Sequence, residues 1–153
     1  MPDPAETRIV VNSLVLGELA AQIGEESGST RSDDGNLLAV LRRCKHIVCT
    51  TSNINKEYSK TEGSNQYPQL QGILTPALRQ LRVLGILRQC KTGAMPDAQM
   101  LAGFSKQHIV FLQDALRINA AYLLTVNQIW LEKATVGEVQ IVSSARYVQL
   151  QES

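Results

Sequence analysis

The chain has little that would tie it to a metal, a membrane or a polyanion. Its three cysteines, Cys44, Cys49 and Cys90, are an odd number without a Cys-x-x-Cys pair, which argues against a disulfide scaffold and against a zinc ribbon. No stretch approaches the roughly 18 apolar residues of a membrane helix. The opening Met-Pro-Asp-Pro-Ala-Glu carries acid and proline where a targeting segment would carry basic and then apolar residues, so a cytoplasmic protein with no membrane partner is expected. A net charge of +1 over 153 residues gives no bulk pull toward nucleic acid. No Gly-x-Gly-x-x-Gly follows an apolar run and no Gly-Lys-Ser/Thr occurs, so dinucleotide and triphosphate lack their usual cradles. Aromatic residues are scarce and do not interleave with the basic clusters, which leaves base stacking unsupported.

What is present is an alternation of apolar and amphipathic runs. Arg8-Ile-Val-Val-Asn12 is a short β-branched run without alternation, as expected of a strand covered on both faces, and His46-Ile-Val-Cys-Thr50, Tyr122 to Val126 and Val139-Gln-Ile-Val142 are expected to be the further strands. Between them, helical spacing runs through Leu14, Val15, Leu19, Ala20 and Ile23, and again from Asn36, a good N-cap, to Cys44 with Leu37, Leu38 and Leu41 inward. Ser52 or Asn53 is expected to cap a helix carrying Glu57 and Tyr58. Leu74, Ala77, Leu78, Leu81, Leu84 and Leu87 predict a long helix, with Pro76 in its first turn and Gly85 marking an end or a close contact. Ser105 is expected to cap a helix through Asn119, Gln128 to Lys133 to form a short helix, and Ser143 to Gln149 a terminal helical turn. Polar loops are expected over 24–35, 61–68 and Thr92 to Ala98. Strands alternating with helices predict one α/β domain over 1–153, core about 8–148: a three-layer α/β/α fold with a mostly parallel, Rossmann-like sheet.

In such a sheet, ligands gather beyond the carboxyl ends of the strands. That rule selects Asn12, the Thr50 to Asn53 turn with Glu57 one helical turn inside, and Asn127. Cys44, His46 and Cys49 have the spacing of a metal clip, but an extended chain points His46 and Cys49 to opposite faces, which favours buried thiols.

In the order of its blocks, the chain resembles the PIN domain family, many of whose members are metal-dependent RNA endonucleases or the toxins of toxin–antitoxin pairs. Arg8-Ile-Val-Val-Asn-Ser-Leu-Val-Leu16 matches a first strand that normally ends in an acid, here Asn12. The run from Asn36 to Tyr58 matches a helix, a strand, a Ser/Thr turn and a helical acid, Glu57. A third motif opens a helix with an acid; counting back from Ala115 lands on His108. The fourth, Thr-x-acid, is Thr125-Val126-Asn127. The resemblance implies a pocket of Asn12, Glu57, His108 and Asn127, RNA or an antitoxin-like protein as partner, and a homodimer. The Leu-rich amphipathic run from Leu74 to Leu87 is a candidate contact surface, with core as its expected role. The resemblance also implies Mg²⁺ or Mn²⁺ bound by crowded carboxylates that activate water. Only Glu57 of the four is a carboxylate, so metal binding is expected to be weak or absent, with Asp97 as the nearest substitute and Asp114 turned away on its helix.

Each of these residues has a plainer use. Asn12 and Asn127 suit the satisfaction of backbone groups at strand ends, Glu57 a solvated helix face, and His108 a first-turn surface position. Arg42, Arg43 and Lys45, and separately Arg79, Arg82, Arg88 and Lys91, read as solvated faces or as contacts to RNA phosphate. Two functions follow: a PIN-like binding module that has lost catalysis, and a divergent nuclease in which Glu57 and Asp97 hold a metal beside His108.

Overall fold

A computed structural model describes residues 6–28, 36–106 and 108–152. Strand β1 (Arg8–Val11) leads into helix α1 (Ser13–Gly28), followed by α2 (Leu37–Cys44), β2 (Ile47–Thr50) and α3 (Ser52–Glu62). A 3₁₀ turn at Pro68–Leu70 precedes α4 (Leu74–Val83) and β3 (Leu87–Gln89). After a second 3₁₀ turn at Ala98–Leu101 come α5 (Ile109–Arg117), β4 (Tyr122–Leu124), α6 (Gln128–Lys133), β5 (Thr135–Val136), β6 (Val139–Val142) and α7 (Ser144–Glu152).

The six strands form one sheet in the order β3-β2-β1-β4-β6-β5, parallel except for the β5–β6 hairpin. Ile9, Val10 and Val11 in β1, Val48 and Cys49 in β2, and Leu123 and Leu124 in β4 are buried in succession. Neighbouring residues of a strand point to opposite faces, so both faces of the central sheet are covered. This agrees with the expected α/β class and is compatible with three layers. Among the described residues no helix is long and apolar enough to cross a membrane.

Several boundaries differ from expectation. The expected loop from residue 24 begins later, because α1 runs on to Gly28; residues 29–35 of that loop lie outside the described residues. Thr51, rather than Ser52 or Asn53, caps α3, its hydroxyl accepting the Ile54 N–H at 3.0 Å. Helix α3 continues through Thr61 to Glu62, so the break over 61–68 starts two residues late. The long helix of Leu74 to Leu87 divides: α4 stops at Val83, and Gly85 at φ +76° makes the left-handed turn that ends it. Ile86 and Gly85 donate back to Leu81 and Arg82 at 2.9 and 3.1 Å, the paired bonds of a Schellman stop. The freed residues become the edge strand β3. Helix α5 starts at Ile109 rather than beside Ser105, with left-handed His108 in front of it at φ +65°. It ends in the same paired bonds, Ala120 to Ala115 and Asn119 to Leu116, with Asn119 at φ +58°.

Candidate functional site

The strand order reverses between β1 and β4, the position where an open parallel sheet offers a crevice. Asn12 follows β1 and Thr125 follows β4, so the two meet across this switch point. The Asn12 amide nitrogen donates to Thr125 Oγ1 at 2.9 Å, and the Asn12 backbone N–H donates to Leu124 O at 3.0 Å. Thr125 Oγ1 in turn accepts the Asn127 N–H at 3.2 Å. The segment Thr125–Asn127 is thus held in register with the start of α1.

Both asparagines spend their amide oxygens on helix ends. Asn12 Oδ1 accepts the Val15 N–H at 2.9 Å, and Asn127 Oδ1 accepts the N–H groups of Ile129 and Trp130 at 3.0 and 3.2 Å. These satisfy donors that a first helical turn otherwise leaves orphaned.

Asn12, Asn127 and His108 line a recess of about 180 Å³, floored by Ser13, Thr61 and Phe111. A polar recess of about 280 Å³ adjoins it, sharing Thr61, Tyr67 and His108 and adding Glu57, Lys60 and Lys106. Glu57 is brought to this place by α3, which is pinned at Tyr58: the phenol donates to Val11 O at 2.7 Å, at the end of β1. Burial pushes the Tyr58 phenol well above its usual pKa, so it remains a donor. A second tie runs from Ser13 Oγ to Thr61 Oγ1 at 3.1 Å and on to Glu57 O at 3.0 Å. One Glu57 oxygen lies 3.8 Å from His108 Nδ1 and the other 3.5 Å from Lys60 Nζ. The four residues expected at the site therefore lie in two adjoining recesses with His108 between them.

Asp97 is not brought to them. It is exposed and caps the 3₁₀ turn at Ala98, accepting the Gln99 N–H at 3.0 Å. Asp114 lies buried on α5, where its carboxylate accepts from the Thr51 hydroxyl and faces Arg117 Nη1 at 3.4 Å. Among the described residues no three His, Cys, Asp or Glu side chains gather into a metal-holding group. The site's donors are one carboxylate, one imidazole and two amide oxygens already accepting hydrogen bonds. Magnesium and manganese favour several hard, negatively charged oxygens, so this donor set does not fit such an ion. His46 and Cys49 turn to different partners: His46 Nδ1 meets the Tyr147 hydroxyl, while the Cys49 sulfur lies against Cys90.

Sequence reasoning missed the Asp114–Thr51 bond, the Ser13–Thr61 tie and the lysines of the polar recess. A signal existed for the first, since Asp114 lies between Phe111 and Ala115 on the apolar side of its helix, where an unpaired acid is costly. No signal in the sequence distinguished Lys60 and Lys106 from other surface lysines. No protein-family model matches the chain, and no match was found among curated proteins or solved structures.

Proposed function

We propose that the chain is a PIN-like module that binds RNA at the switch-point recesses without hydrolysing it. The observation that carries this reading is the use of the Asn12 and Asn127 oxygens. Where a nuclease needs carboxylates free to hold a metal, both side chains are neutral and committed to helix ends. The order of the sequence blocks supports the PIN-like part of the reading, as does the meeting of Asn12 and Thr125 across β1 and β4. The polar recess supports an anionic ligand, because two lysines, Lys60 and Lys106, line it with the single carboxylate of Glu57.

Two measurements test it. Titration with Mn²⁺ or Mg²⁺ is expected to leave Tm unchanged, since an ion that does not bind the native state cannot stabilise it. A Tm rise that Glu57→Gln removes overturns the loss of the metal site. Anisotropy with a labelled single-stranded RNA is expected to show affinity that falls with salt and survives Glu57→Gln. Lys60→Ala with Lys106→Ala is expected to weaken it and to reduce the salt slope by about 1 for each phosphate that is no longer neutralised. No affinity at low salt overturns the RNA reading and leaves a protein partner.

A second reading, a divergent nuclease, is favoured by one contact, the Glu57 carboxylate beside the His108 imidazole. A carboxylate that orients an imidazole is the usual support of a general base. That reading requires RNA cleavage that both Glu57→Gln and His108→Ala abolish.

A further inference from the structure

Cys49 and Cys90 lie on neighbouring strands of the sheet, outside the recesses described above. Cys49 is fully buried in β2, and Cys90 follows the last residue of β3, half-buried. Arg88 stands opposite Cys49 in the register, and Cys90, two residues on, shares the face of Arg88. Both thiols therefore project to the same side. Their sulfurs are 2.8 Å apart, against about 2.0 Å in a disulfide. Cys90 is the diagonal neighbour of Cys49 rather than its register partner, and its N–H donates to Thr50 O at 2.8 Å, so closing the bond draws the end of β3 toward β2.

The two thiols differ in access. Burial and the neighbouring Cys90 push the Cys49 thiol far above its usual pKa. Cys90 lines an open recess with Thr51, Asn53 and Lys91. An accessible thiol beside a sequestered one is the arrangement in which one is attacked first and the other resolves it.

We propose that Cys49 and Cys90 are a reversible modification site, a thiol pair that closes to a disulfide by exchange with a small-molecule disulfide. The Cys90 thiolate attacks one sulfur of the reagent, forming a mixed disulfide and releasing one small thiolate. The Cys49 sulfur then attacks the Cys90 sulfur and expels the second small thiolate. The two protein protons pass to the two small thiolates, so two cysteines are oxidised as one small disulfide is reduced to two thiols. The bond would tie the three-residue edge strand β3 to β2, one residue before the Thr50–Thr51 turn from which α3 begins. Cys44 takes no part.

The test uses the full chain with oxidised glutathione, followed by alkylation under denaturing conditions, intact mass and peptide mapping. The expected result is loss of two hydrogens, a Cys49–Cys90 cross-linked peptide, and a fall from three alkylatable thiols to one, reversed by a dithiol reductant. Cys44→Ser should still form the cross-link, and Cys49→Ser should stop at a glutathione adduct on Cys90. Three thiols remaining in the wild type overturns the proposal. So does a Cys90 adduct that never resolves, or a cross-link that involves Cys44 or a second chain.

Discussion

Asp114 shows how much one side chain can be asked to hold. Its carboxylate is fully buried on α5, accepts from the hydroxyl of the residue that caps α3, and faces Arg117, whose Nε also donates to Gly93 O at 3.2 Å. Asp114→Ala leaves Thr51 and Arg117 with unmet partners and a cavity, so a loss of about 3 kcal/mol is expected. Asp114→Asn keeps an acceptor for Thr51 and should lose less; chemical denaturation of the two variants gives the comparison. Asn127 offers a cleaner case of capping. Asn127→Ala removes the oxygen that serves two N–H groups and should cost about 1 kcal/mol, whereas Asn127→Asp should fall within a few tenths of wild type. Equal losses for the two variants would show that the amide nitrogen matters more than the oxygen.

Among the elements, the β5–β6 hairpin turns on a single position. Gly137 and Glu138 connect Val136 to Val139, and Gly137 has φ +57°, as a two-residue type II′ turn requires. A methyl at Gly137 would meet Met100 Cε at 2.7 Å and Leu116 Cδ2 at 3.3 Å. Gly137→Ala combines backbone strain with overpacking, and an expected loss of about 2 kcal/mol is readable as a lowered urea midpoint. An unchanged midpoint would mean the hairpin can change turn type. The same two-residue strand β5 was not legible in the sequence, where Thr135 and Val136 are too few to show a period. Strand β3 was hidden for another reason. Leu74, Leu78, Leu81, Leu84 and Leu87 keep a helical spacing past the point where Gly85 turns the chain, so Leu87 reads as one more turn. By contrast α6 and β6 have the bounds expected from the sequence, and the structure shows what fixes them: Asn127 caps the first and Gly137 turns the chain into the second.

For the whole molecule, the parallel sheet and its buried runs followed from β-branched segments alternating with amphipathic ones. The positions beyond β1 and β4 followed from the rule that ligands gather at strand ends. Which of those residues meet did not follow, because side-chain convergence depends on strand order, and no segment carries that order locally. Thus Asn12 and Asn127 share a recess with His108, Glu57 enters from the adjoining one, and Asp97 stays apart. One pH effect also belongs to this scale. His46 links the start of β2 to α7 through the Tyr147 hydroxyl, and burial holds its pKa below the ordinary 6.5. The unfolded chain therefore takes up the proton first, and stability is expected to fall as pH drops below 6.5 toward the lower folded value. His46→Gln should flatten the urea midpoint between about pH 7 and pH 5.5; an unaltered slope would place the sensitivity elsewhere.

The capping geometry at Asn12 bears on how such a pocket can change over generations. An aspartate offers the same oxygen to the first turn of a helix as an asparagine does, so capping alone does not choose between them. Exchange of one for the other at position 127, where only the oxygen is engaged, is therefore close to neutral for folding, whereas at position 12 it also removes the amide donor to Thr125. At position 127 the recess can therefore gain a carboxylate at little cost to the fold, while at position 12 the fold itself favours the amide.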